Sequence, residues 1–328
     1  MSEFFDYSEL IDISPKVTEK KKLRRSANAC GIAVIVLFAV MFGWSFPAVR
    51  TAAFFDISLK RFSDFISDPF VNQLLGILLS AFMVVLPFFI VAKIMGIKAA
   101  ADLPFKTAPK GLFLPSVLIG AGFCLFSSFG VAFGGQVFTS FGIEFPSSED
   151  VFPNGVFGVV ISMLSTAFFP AFFEELALRG FALSILRRHG DIFGVISSAI
   201  IFGFMHANFD QIVFAFLVGL VLGFITVKTG SIWPAITVHF INNLNSVIFS
   251  YFSEKSEIFS SLLLIAVFAL WIFLSIIGFA LLNKRDPNYF KTTQEGDISF
   301  NKKISWFLTT PTIIIGFIIS LLIACFAR

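Results

Sequence analysis

The chain predicts an all-α fold, a polytopic transmembrane helix bundle of about eight or nine spanning helices, and three observations carry that reading. Of its 328 residues, 57% are hydrophobic and only 14% charged, whereas ordinary soluble domains carry about 25% charged residues. Mean hydropathy is +0.90, and Phe alone occurs 48 times. Apolar runs long enough to cross a hydrocarbon core about 30 Å thick recur from end to end. This composition excludes disorder, collagen and coiled coil. A net charge of +3, with the basic residues spread between apolar runs, gives no footprint for nucleic acid. Cys30, Cys124 and Cys325 form no CxxC pair, so no disulfide framework is indicated.

Nine apolar segments are expected to span: about 30–49, 71–96, 112–135, 154–186, 191–207, 211–228, 231–252, 258–283 and 305–326. The fourth is too long for one perpendicular crossing, so it must tilt or continue beyond the lipid. The fifth is short, as suits a helix enclosed by others. The basic stretch Lys20-Lys21-Lys22-Leu23-Arg24-Arg25 precedes the first run, and no A-x-A cleavage site follows it, so the run reads as a retained span. Lys and Arg placement sets the orientation. With the N-terminus in the cytoplasm, 18 of the 24 basic residues fall on cytoplasmic segments, five lie outside, and Arg179 lies within a span.

Four regions are expected: a basic cytoplasmic tail at 1–28, N-terminal spans and an amphipathic segment at 29–111, the functional bundle at 112–250, and C-terminal spans at 251–328. In the amphipathic segment Phe55, Leu59, Phe62 and Ile66 oppose Asp56, Lys60, Arg61 and Asp64. That pattern suits either a helix lying on the outer membrane surface or a loop packed on neighbouring spans.

A charge at the centre of a spanning helix costs about 2.5–3.5 kcal/mol or more, so such residues usually face an interior or a cavity. Glu174, Glu175 and Arg179 interrupt the fourth run, with Glu174 about 20 Å from its basic end. Glu175 and Arg179 are four apart and can pair on one face. Glu174 points about 100° away and has no local partner; a desolvated carboxylate of that kind suits proton transfer. His206 in the fifth run reaches a similar depth. His239 and Asn243, four apart, share a face of the seventh. His189 sits in a basic helix end and reads as solvated.

These groups from three segments can converge. A Glu and a His can polarise a water, while a second His and an Asn donate to a developing oxyanion. Alternatively Glu174, His206 and His239 could ligate zinc. Spacing does not separate these readings, and both predict hydrolysis of an amide-like bond. There is no GxSxG and no HExxH.

Glu174-Glu175-x-x-x-Arg179, Phe202-x-x-x-His206 and His239-x-x-x-Asn243, in this order and at this spacing, resemble the three motifs of the CPBP family. This is the CAAX protease and bacteriocin-processing family, also called Abi. It includes type II CAAX prenyl endopeptidases and lysostaphin-resistance-like proteins. Gly180 matches the family's usual run, whereas Ala177-Leu178 replaces a commoner bulky-aromatic pair. The resemblance covers about 112–250. It implies an intramembrane endopeptidase whose cavity opens towards the cytoplasm. Glu174 and His206 would activate water, His239 and Asn243 would form the oxyanion hole, and Glu175 and Arg179 would support the site. No cofactor is required on that reading; zinc is the alternative. The implied partners are the lipid bilayer and a peptide or membrane-protein substrate, in a plasma membrane if the source is bacterial. Two other functions remain open from the residues: a non-enzymatic immunity or scaffold protein, and a transporter using the same groups as a proton relay.

Overall fold

Lipid offers backbone N–H and C=O groups no partners, so apolar segments satisfy them internally as helices. The computed structural model describes residues 15–43, 45–97, 104–142, 153, 155–253, 256–291 and 298–326, and all regular structure among them is helical. The helices are α1 (Pro15–Gly43), α2 (Ser45–Phe54), α3 (Leu59–Ser67), α4 (Pro69–Ser80), α5 (Leu86–Ile94) and α6 (Phe113–Ser140), then α7 (Gly155–Ser162), α8 (Phe169–Glu175) and α9 (Ser184–Leu186). They continue with α10 (Asp191–Met205), α11 (Phe209–Thr229), α12 (Trp233–Ser253), α13 (Glu257–Arg285), α14 (Phe300–Leu308) and α15 (Pro311–Phe326). A π-helical turn at Ala81–Val85 joins α4 to α5.

Six helical stretches are long and apolar enough to cross a membrane, or seven if α14 and α15, bent by 65°, count as one. The protein is therefore multi-pass. Two of the nine expected segments fall outside that set, although both are helices. At 15 residues α10 is short, and the polar residues of α12 lower its hydropathy. The long fourth run is one path through Gly155–His189. It passes through π-helical turns at Met163–Phe168 and Leu176–Leu183, which flank the two glutamates.

The tail reading of 1–28 is corrected for its second half. Pro15 opens α1, and Leu23 and Ala27 are fully buried in the bundle. Residues 1–14 lie outside the described residues, as do Glu144, Glu149 and Asp150, the acidic residues between the third and fourth apolar segments. The amphipathic segment forms α3, capped by the Ser58 hydroxyl accepting from Arg61 N–H at 3.3 Å. None of its residues is buried, so it is no loop packed on neighbouring spans.

His189 is also corrected. It is buried at the end of the α9 run, not solvated. Its Nδ1 lies 2.5 Å from Glu19 Oε1, its Nε2 lies 3.2 Å from Ser26 Oγ, and its carbonyl accepts from Lys303 Nζ at 2.6 Å. These contacts tie the start of α1 and α14 to the basic end of the α9 run. All three cysteines are free.

The core of the functional bundle is α10 against α11, with α6 and α12 packed on α11. Small residues permit the approach of α10 to α11. A Cβ on Gly203 would stand 2.7 Å from Ile212 O, and one on Gly219 would stand 3.0 Å from Ala199. The turn between the two helices places Ala207 at φ 49°, a left-handed backbone that a non-glycine residue adopts only under constraint. Asn208 then caps α11 by accepting from Asp210 N–H at 3.0 Å.

Candidate active site

Glu175 and Arg179 form the buried pair that their spacing suggested. Arg179 Nη1 donates to Glu175 Oε1 at 2.7 Å, and the side chains are 1% and 0% exposed. Arg179 Nη2 donates to Gly219 O at 3.1 Å, which anchors the pair to α11. Its guanidinium also lies 4.8 Å from the centre of the Phe202 ring. Glu175 Oε2 and Arg179 Nε are buried without a hydrogen bond among the described residues. Such a pair is a poor stabiliser by itself, because desolvating two charges costs about as much as their attraction returns.

His239 on α12 joins this pair. Its Nδ1 lies 2.9 Å from Glu175 Oε1. A carboxylate that accepts from Arg179 has no proton to give, so Nδ1 is the donor; the tautomer follows from the hydrogen-bond network. The other nitrogen, Nε2, stands 3.8 Å from Glu174 Oε2. Glu174 is 20% exposed, so the two adjacent glutamates differ sharply in environment. Glu175 is sealed in the packing, and Glu174 borders open space.

That space is a cavity of about 400 Å³ lined by Glu174, His206, His239, Asn242 and Asn243, with Thr166, Phe202 and Gln211 among the remaining walls. His206 Nδ1 lies 2.9 Å from the Phe202 carbonyl, one turn back. A carbonyl only accepts, so Nδ1 carries the hydrogen, and Nε2 of the neutral ring is an acceptor. Asn243 Nδ2 donates to Thr166 O at 3.3 Å, and Asn242 Nδ2 donates to Asn243 Oδ1 at 3.1 Å. Each amide keeps a second N–H.

Four of the six sequence-derived residues thus border one cavity, and Glu175 and Arg179 lie directly behind it. Sequence reasoning gave no role to Phe202, whose ring sits 5.0 Å from His206 and 5.7 Å from His239, centre to centre. It also passed over Asn242, although an amide in an apolar helix was a readable signal. Thr166 and Gln211 gave no comparable signal. The zinc alternative does not fit. Among the described residues no three His, Cys, Asp or Glu side chains are arranged to hold a metal ion.

Residues 156–245 match the family model described as Type II CAAX prenyl endopeptidase Rce1-like. No curated protein and no solved structure matches the chain. The matched segment contains all six candidate residues and runs from the start of α7 into α12. This match and the three motifs support a CPBP/CAAX protease family assignment for that segment.

Proposed function

We propose that the protein is an intramembrane endopeptidase in which Glu174 and His206 activate a water against a peptide carbonyl. The observation that carries this reading is the shared cavity. It brings a partly exposed carboxylate, an imidazole with an acceptor nitrogen and two amides with spare donors around one space. Such a space fits an attacking water on one side and an oxyanion on the other.

Glu174 takes the proton from the water and can pass it to the leaving amine, with His206 Nε2 as the second acceptor. Asn243 and Asn242 offer N–H groups to the tetrahedral oxygen. For His239 to donate there as well, it must carry hydrogen on both nitrogens, because Nδ1–H is committed to Glu175. Arg179 and Glu175 fix the ring plane of His239. Two elements of the bundle, α8 and α12, are thereby held in register by one carboxylate. No step here runs through a metal or other cofactor.

Glu19, His189 and Lys303 meet at a basic end of the bundle, and the Lys/Arg bias supports a cytoplasmic location for that end. In a bacterial cell the membrane is the plasma membrane, and the substrate is a peptide or membrane protein within it. The test compares peptides released by membranes carrying wild-type protein with those from Glu174→Ala. A set of fragments missing from the variant supports peptidase activity and names the substrate. Identical fragment sets would count against it. A phenotype kept by Glu174→Gln would favour a binding or immunity role.

A further inference from the structure

The first turns of α1 border a groove of about 650 Å³, lined by Lys20, Lys21, Lys22, Arg24 and Arg25 together with Met95 at the end of α5. Among the described residues no carboxylate lines it, and it shares no lining residue with the active-site cavity. Glu19, the one acid of α1, is taken up by His189.

Five cations in six residues repel one another. Lys20 and Arg24, Lys21 and Arg24, Lys21 and Arg25, and Lys22 and Arg25 are three or four apart, the spacings at which like charges on a helix oppose its formation. The packing answers only part of that charge. Arg25 donates to the Met95 carbonyl, where the C-terminus of α5 favours a cation. Arg24 Nη2 donates to Thr309 Oγ1 at 3.4 Å, between α14 and α15, but its Nε is buried without a hydrogen bond among the described residues. Lys20 Nζ lies 5.9 Å from the centre of the Trp306 ring, which offers an aromatic face and no counter-charge. None of the five has a carboxylate partner among the described residues.

A buried N–H donor in a groove walled by cations fits an anion that accepts several hydrogen bonds, and a phosphate diester is such a group. The remainder of α1 distinguishes a lipid phosphate from a free one. Residues 26–49 carry no charge, so the basic turns stand at the polar edge of a spanning helix. Lys21, Arg25 and Asn28 share a face with Ile32, Ile35 and Val36, and that stripe is exposed or half-buried along its length. Its apolar part runs about 10–17 Å beyond Arg25 into the span. A free phosphate would use only the basic part of the stripe; a phospholipid uses both. We infer that this groove binds an anionic phospholipid, its phosphate among Lys21, Arg24 and Arg25 and an acyl chain along Ile32, Ile35 and Val36. Bound there, the lipid neutralises the repulsion within α1 and braces its start against the end of α5.

Native mass spectrometry of the full chain, purified in an uncharged detergent, counts bound lipid without requiring catalysis. Dioleoylphosphatidylglycerol and dioleoylphosphatidylcholine have the same acyl chains and phosphate but differ in net charge. Each is titrated into wild type, Lys21→Gln/Arg25→Gln and Lys60→Gln/Arg61→Gln. The last variant removes two basic residues from α3 and controls for general surface charge. The wild type and the α3 variant should bind phosphatidylglycerol about tenfold or more tightly than phosphatidylcholine. Lys21→Gln/Arg25→Gln should bind phosphatidylglycerol about 30-fold more weakly than wild type, each basic residue near a membrane surface being worth about fivefold. The Lys21 side chain is exposed and holds no hydrogen bond or ion pair among the described residues. Lys21→Gln alone therefore keeps the test decisive if the double variant folds poorly, with an expected loss of about fivefold. Equal affinities for the two lipids, or equal phosphatidylglycerol binding by wild type and the groove variants, would overturn the inference. So would displacement of the lipid by inorganic phosphate or by an oligoglutamate peptide at the same concentration, which would mark a general anion site.

Discussion

One imidazole joins two carboxylates of unlike surroundings: His239 Nδ1 lies 2.9 Å from the sealed Glu175, and His239 Nε2 lies 3.8 Å from Glu174 at the cavity wall. The relationship shows two adjacent glutamates on one helix in unlike surroundings. Consecutive helical residues point about 100° apart, so one can serve packing while its neighbour faces open space. Arg179 neutralises the first, which leaves the second as the only glutamate lining the site cavity among the described residues.

Breaking the buried pair should therefore cost stability before it costs chemistry. Arg179→Met leaves the Glu175 carboxylate uncompensated, a loss of about 3–5 kcal/mol in comparable sites. Glu175→Gln combined with Arg179→Met removes both charges and should recover part of it. Thermal unfolding in detergent or nanodiscs measures this. An Arg179→Met protein as stable as the wild type would show that the pair is not desolvated as described.

Asn243→Ala should act on rate. On the proposed mechanism the change removes an oxyanion donor while leaving Glu174 and His206 in place, and single donors of this kind contribute about 10²–10³ in kcat. Steady-state kinetics on an identified substrate separate the cases. A change confined to KM would place Asn243 in binding only.

Contacts at the basic end should be separable from the site. Glu19→Ala removes the carboxylate that holds His189 across 170 positions of sequence. Amide exchange in 15–28 should quicken, while exchange in α10 and α12 stays as in the wild type. Uniformly faster exchange would mean that the cluster supports the whole bundle.

Alkaline stability carries a signature from Tyr289, which lies just beyond α13. Burial pushes its phenol above the ordinary value, the Ser116 hydrogen bond at 3.0 Å acts against this, and Asp286 adds to it. The folded state thus holds the proton more tightly than the unfolded state. That contribution is complete below the ordinary value of about 10 and is lost as pH rises through the raised one. Tyr289→Phe should flatten the decline of unfolding temperature over that window. An unchanged slope would mean that Tyr289 ionises alike in both states.

Much of the site was legible because ionisable residues inside apolar runs are expensive and therefore conspicuous. Glu174, Glu175, Arg179, His206 and His239 were identified by that cost, Asn243 by sharing a face with His239, and the i, i+4 spacing of Glu175 and Arg179 predicted their ion pair. Depth along each helix also predicted convergence, and His239 Nε2 stands 3.8 Å from Glu174 Oε2. What stayed hidden was non-local. The burial of His189 depends on Glu19 and Lys303, at opposite ends of the sequence. Phe202 opens the second motif in the sequence, but its ring contacts with Arg179 and both cavity histidines are seen only in the fold. The nine-span expectation met its limit at α10 and α12, the short helix and the polar helix that furnish His206, His239 and Asn243. In α12 the polar residues of the site also lower its hydropathy, whereas α10 is apolar and falls short by length alone.

The most direct test is turnover by purified, lipid-reconstituted Glu174→Gln. Glutamine keeps the shape of the side chain at a partly exposed position and removes its ability to take a proton. Turnover should fall by about 10²–10⁴-fold, the usual worth of a positioned acid–base group, with unfolding temperature unchanged. Wild-type turnover from that variant would show that the carboxylate facing His239 does not activate the water.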